Sequence, residues 1–278
     1  MKTSLLVTAL LLVLHQAYTQ ELQIPKPSPS QTITQEFGIG NIELHYSRPG
    51  LKNRRIGTDF VPYGQIWRTG ANAATTITFS DDITFGKVPI KKGTYGLLSI
   101  PDEKEWTLIL TSDLNVNMAG KYMPEHNLAS VKVPVQQLQV GVETFTINFF
   151  NFSLNSCYLQ LSWDHSLVQV PITTNVDTKI AQEITSIFSE DHKPYYAAAQ
   201  YYYDTNRDLM QAKEWIENAA SNKENSNKLH IFYLQALIYA KLGEKSKAKT
   251  TAKLLIEKAT AMGNPDYVSK SSILIKNL

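Results

Sequence analysis

Four of the five arginines in this 278-residue chain, Arg48, Arg54, Arg55 and Arg68, fall in one short window. Asp59 is the only acidic residue between Arg48 and Arg68. A guanidinium presents its donors as a rigid planar fork, which fits carboxylate or phosphate with two parallel hydrogen bonds. His45, Tyr63, Trp67 and Asn72 stand close by in sequence. Tyrosine and tryptophan offer flat faces to a sugar ring or a guanidinium, and asparagine offers both a donor and an acceptor. One expectation is therefore a ligand site for an anionic or sugar-like molecule, built from His45, Arg48, Arg54, Arg55, Tyr63, Trp67, Arg68 and Asn72. Another is structural: the guanidiniums brace loops through backbone carbonyls and a few carboxylates, and Trp67 is core. A catalytic site is the third.

Other catalytic and metal-binding patterns are thin. His45, His126 and His165 lie far apart, and there is no His-x-x-x-His or Cys-x-x-Cys spacing. No Gly-x-Ser-x-Gly elbow occurs, and no phosphate-cradling glycine loop precedes a helix. Neither a metal nor a cofactor is expected. A triad assembled from distant residues stays open, because triads are defined by geometry.

The arginine window must be held by something. The stretch VPYGQIWRTGANAAT, residues 61–75, is too broken for a strand and too glycine-marked for a helix. Pro62-Tyr63-Gly64 suits a tight turn, and Gly70 permits a second bend, so Trp67 and Arg68 are held between two bends. On either side the chain alternates with period two from about Thr32 to Thr173. NIELHYS places Ile42, Leu44 and Tyr46 on one face and Glu43, His45 and Ser47 on the other. TTITFS, EWTLILT, ETFTINFF and LVQVPI follow the same rule. Strands of this kind, separated by turns such as SDD and KKG, predict an antiparallel β-sandwich. Cys157 is the only cysteine and alternates onto one face with Leu159, Leu161 and Trp163, so it reads as a small core residue without a disulfide.

Near Asp177 the pattern becomes helical. DHKPYYAAAQYYYD puts Pro194 at a first helical position. NRDLMQAKEWIENAA and NKLHIFYLQALIYAKLG follow, the latter closing at Gly243, and EKSKAKTTAKLLIEKATAMG closes at Gly263 before Pro265 opens a last helix. At an offset of 36 residues, Tyr203 meets Tyr239, Asp208 meets Glu244 and Ala212 meets Ala248. About one and a half such units are visible, and they resemble a tetratricopeptide array of helix-turn-helix repeats. Such helices offer a docking surface for a protein partner.

The expected organisation is a signal peptide over residues 1–19, a proline-rich leader over 20–32, a β-sandwich over 33–176 and an α-helical bundle over 177–278. The signal peptide rests on Lys2, the apolar run from Leu5 to Leu14, and the small residues Ala17 and Thr19. It implies a periplasmic or secreted protein, and no later stretch is apolar enough to span a membrane. The formal net charge of +2 excludes a strong electrostatic bias towards nucleic acid.

Three longer stretches carry a family resemblance: IELHYSRPGLKNRRI, VPYGQIWRTGANAATTITFS and VPIKKGTYGLLSIPDEKEWTLIL. They resemble a secreted bacterial family called domain of unknown function 2911, over roughly Phe37 to Ile172. The helical tail is similar to extensions found on some members. The resemblance implies export and a β-rich fold, and it supplies no established activity to carry over. Where members often read GANEAT, this chain has Ala73. The functional expectation is a non-catalytic recognition protein. The alternatives are a hydrolase acting on a cell-envelope or glycan substrate, and an assembly protein docking through its helices.

Overall fold

The structure, a computed structural model, describes residues 24–189 and 193–278. The expected signal peptide lies outside these residues. Among those described, no helix is long and apolar enough to cross a membrane. The chain separates into two compact units that meet between Val176 and Asp177.

The first unit is built from two antiparallel sheets. Six strands lie in the order β1-β2-β5-β8-β9-β10: β1 Ser30–Phe37, β2 Gly40–Ser47, β5 Thr76–Phe79, β8 Gly93–Ile100, β9 Glu105–Thr111 and β10 Asn127–Pro134. Four lie in the order β11-β12-β6-β7: β11 Gln136–Phe150, β12 Ser156–Thr174, β6 Ile83–Phe85 and β7 Val88–Ile90. A short parallel pair, β3 Ile56–Gly57 and β4 Phe60–Pro62, stands apart within the β2–β5 connection. Ser30, Gln31 and Thr32, which the sequence places in the leader, instead open β1 and pair with Ser47, Tyr46 and His45.

The pleat explains which residues meet. Successive side chains point to opposite faces, so Ile42, Leu44 and Tyr46 enter the core while Glu43 and His45 face away. They join Ile77, Trp106 and Leu108 from the same sheet, and Phe145, Ile147, Leu161 and Trp163 from the other. Cys157 is buried in this cluster, as expected, and its thiol is pushed up to about 11 by burial. β8 and β9 do not alternate, because both their faces are covered. Leu97 and Leu110 pack in the main core, whereas Leu98 and Ile109 pack on the other side under Val116 and Tyr122 of the β9–β10 connection.

The second unit holds six helices among the described residues: α1 Asp177–Ile187, α2 Tyr195–Asp204, α3 Leu209–Ser221, α4 Leu229–Lys241, α5 Lys245–Ala261 and α6 Pro265–Lys276. Buried alanines, including Ala198, Ala199, Ala212, Ala248 and Ala252, let neighbouring helices approach closely. Gly243 at φ 77° and Gly263 at φ 65° take the left-handed conformation that ends α4 and α5. Pro194 stands one position earlier than expected, as the N-cap of α2. Two residues that match at the 36-residue offset differ in role. Asp208 caps α3, accepting from Met210 N at 2.9 Å, while Glu244 bonds Lys213 at 2.6 Å and Lys247 at 2.8 Å.

Candidate functional site

The β2–β5 connection contains the arginine window, and its shape follows from a division of labour along β8. Thr76 to Phe79 of β5 pair with Gly93 to Gly96 of β8. Further along β8 the partner is Trp67, which exchanges two backbone hydrogen bonds with Ser99 at 2.7 and 2.9 Å. The TGANAA stretch is thus a detour between two segments on the same strand edge. Thr75 Oγ1 donates to Thr69 O at 2.7 Å and Thr69 Oγ1 donates to Ser99 Oγ at 2.9 Å, closing the detour from within. Gly70 is required by proximity: a Cβ there would stand 3.0 Å from Ser47 O. Asn72 takes φ 59° and its Nδ2 donates to Ser28 O at 3.1 Å, tying the detour to the start of β1.

Trp67 is core, with 9% of its surface exposed. Its ring stacks on Trp163 at 5.2 Å and meets Phe145 at 4.9 Å and Trp106 at 6.3 Å edge-on. Its Nε1 donates to Gly70 O at 3.0 Å. The ring therefore joins the two sheets and has no free face to offer a ligand.

Three of the four guanidiniums are engaged internally. Arg48 donates from Nε to Phe145 O at 3.2 Å and from Nη2 to Thr146 Oγ1 at 2.8 Å. Arg54 donates to Leu51 O at 2.9 Å and Gly50 O at 3.1 Å while lying 3.9 Å over the Phe60 ring. Arg68 donates to Asn117 O, binding the window to the β9–β10 connection. The Arg55 side chain is exposed and its guanidinium has no partner among the described residues. Asp59, the window's one acid, accepts from the Arg55 backbone N–H at 3.1 Å. His45 lies on the outward face of β2, 2.9 Å from Thr32 Oγ1. The eight candidate residues therefore spread over the core, the loop and the outer sheet face.

What the window does gather is unusual backbone. Lys52, Asn53, Val61, Thr69 and Asn72 all have φ between 52° and 63°. A β-branched residue rarely adopts this conformation, and it persists only when its surroundings over-determine it. Val61 precedes Tyr63, whose ring lies against Gly57 so closely that a Cβ at Gly57 would stand 2.3 Å from it. Gly64 N donates to Pro101 O at 2.9 Å, which brings the turn beside Asp102 and Glu103. Asp164, another left-handed residue at φ 51°, also faces Tyr63 electrostatically. Partial burial chiefly, and then Glu103, Asp164 and Asp102, raise the Tyr63 phenol above its ordinary range. These three acids lie outside the window in sequence. The turn signal Pro101-Asp102-Glu103 was visible, but nothing in the sequence linked it to Tyr63.

These features define a two-sheet β-unit whose β2–β5 connection is braced from within and presents Tyr63, followed by a helical unit. The chain belongs to the family described as Protein of unknown function (DUF2911), which matches residues 28–172. No curated protein and no solved structure matches it.

Proposed function

We propose that the β-unit is a non-catalytic recognition module for a sugar-like, hydroxyl-rich molecule, bound around Tyr63. The observation that carries this reading is the concentration of left-handed non-glycine residues between Lys52 and Asn72. Such backbone is costly, at roughly 1–3 kcal/mol per residue, and clusters where a protein shapes a site. The inward guanidiniums supply the bracing, and Tyr63, 38% exposed, is the aromatic that the braced loop offers to solvent. Asp102, Glu103 and Asp164 repel an anion from this position but accept hydrogen bonds from ligand hydroxyls. This environment favours a neutral sugar over an anionic ligand.

Binding to soluble neutral polysaccharides, measured by affinity electrophoresis, tests the proposal. At least one is expected to retard the full chain. Tyr63→Ala is expected to weaken that retardation about tenfold or more while leaving the melting temperature within a few degrees. Failure of every neutral polymer, or equal retardation of the variant, overturns the reading. Release of reducing sugar by the wild type would replace it with the hydrolase alternative.

A further inference from the structure

The helical unit carries a groove of about 500 Å³ between the start of α2, the end of α3 and the start of α4. Its floor is apolar, from Ala219 and Ile231, which are both buried. Tyr196 forms part of its wall, with its ring 4.7 Å from His230 in an edge-on contact. Asn218, whose Nδ2 donates to Glu214 O at 2.8 Å, and Asn222, whose Oδ1 accepts from Glu224 N at 3.0 Å, also line the groove and keep further donor and acceptor capacity. Lys193 and Lys228 stand at the rim, both exposed, and among the described residues none that lines the groove is acidic. Neither lysine has an acidic partner among the described residues, unlike Lys213 and Lys247, which share Glu244.

We infer that this groove is a docking site for an acidic, extended segment of a partner protein. Charge complementarity decides the occupant: among the described residues, two lysines without an acidic partner and a histidine border a channel with no carboxylate, so a basic or neutral strand gains nothing at the rim. The apolar floor accepts aliphatic parts of side chains, and the asparagine amides match the alternating donors and acceptors of a peptide backbone. The first turns of α2 and α4 border the groove and neither N-cap side chain accepts a hydrogen bond, which adds to a positive potential already set by the side chains. This site belongs to the helical unit and does not rest on the reading of Tyr63 in the β-unit.

Fluorescence anisotropy of a labelled glutamate-rich peptide with the full chain tests the inference. Saturable binding is expected, weakened by added salt as an exposed charge contact requires. The paired change Lys193→Glu and Lys228→Glu is expected to weaken it at least about tenfold. Both side chains are exposed and unpartnered, so helical circular dichroism is expected to be unchanged, and Lys193→Gln with Lys228→Gln gives a milder second variant. The control Lys249→Glu with Lys253→Glu makes the same charge change on exposed positions of α5 and is expected to leave binding within about twofold. Absence of saturable binding at about 1 mM protein overturns the inference, and so does an equal loss in the α5 control. Tyr63→Ala is expected to bind the peptide as the wild type does, which keeps this outcome distinct from the sugar reading.

Discussion

Trp67 and the arginines make opposite demands on a mutational experiment from those of a ligand site. Truncating Trp67 to alanine removes a buried ring that touches Trp106, Phe145 and Trp163, so about 3–5 kcal/mol of stability is expected to be lost in denaturant unfolding. Arg48→Ala leaves Phe145 O without its side-chain donor and is expected to cost about 1–3 kcal/mol. Arg55→Ala touches no internal partner and is expected to stay within about 0.5 kcal/mol of the wild type in the same measurement. Cys157 adds a pH dependence. Its buried thiol ionises only near 11, whereas the unfolded chain releases that proton at a lower pH. Between those two values the unfolded state binds fewer protons, so stability contributed by the neutral thiol is present below the unfolded value and lost as pH rises towards 11. Comparing unfolding of the wild type and Cys157→Ala from neutral to alkaline pH is expected to show a steeper decline for the wild type.

At the scale of elements, the β2–β5 connection is held by geometry that tolerates few changes. Gly57→Ala would add a Cβ against the Tyr63 ring at a φ of 87°, so both the conformation and the space oppose it. A loss of about 1–3 kcal/mol is expected by thermal denaturation, together with displacement of Tyr63. Asp208→Ala removes the cap of α3 and is expected to cost about 1 kcal/mol. Strands wet on one face were legible in the sequence because the pleat writes itself as alternation: Ile42, Leu44 and Tyr46 against Glu43 and His45. β8 was not legible in this way, because Val116 and Tyr122 cover its outer face and successive residues Leu97 and Leu98 are both buried, on opposite faces. Helix ends were legible at Gly243 and Gly263, where only glycine enters the left-handed region without cost. The candidate site was much less so. Arg48 and Arg68 terminate on backbone carbonyls of Phe145 and Asn117, and a carbonyl carries no residue signature at long sequence separation. For the same reason, the sequence could not decide between bracing and ligand binding for these guanidiniums.

For the whole molecule, the two compact units divide the tryptophans unequally. We expect residues 24–176 expressed alone to give a β-type circular dichroism spectrum; a random-coil spectrum would show that the helices complete its core. Trp67, Trp106 and Trp163 come from the connection, the six-stranded sheet and the four-stranded sheet respectively, and Trp67 touches both of the others. Trp215 is the fourth tryptophan, and it lies in the helical unit against Phe188 and Tyr202. Indoles in contact share their excited states, so Trp67 couples optically to Trp106 and to Trp163, and each coupling weakens when its two rings move apart. The β-unit therefore carries a built-in gauge of sandwich closure, while Trp215 is the one indole of the helical unit.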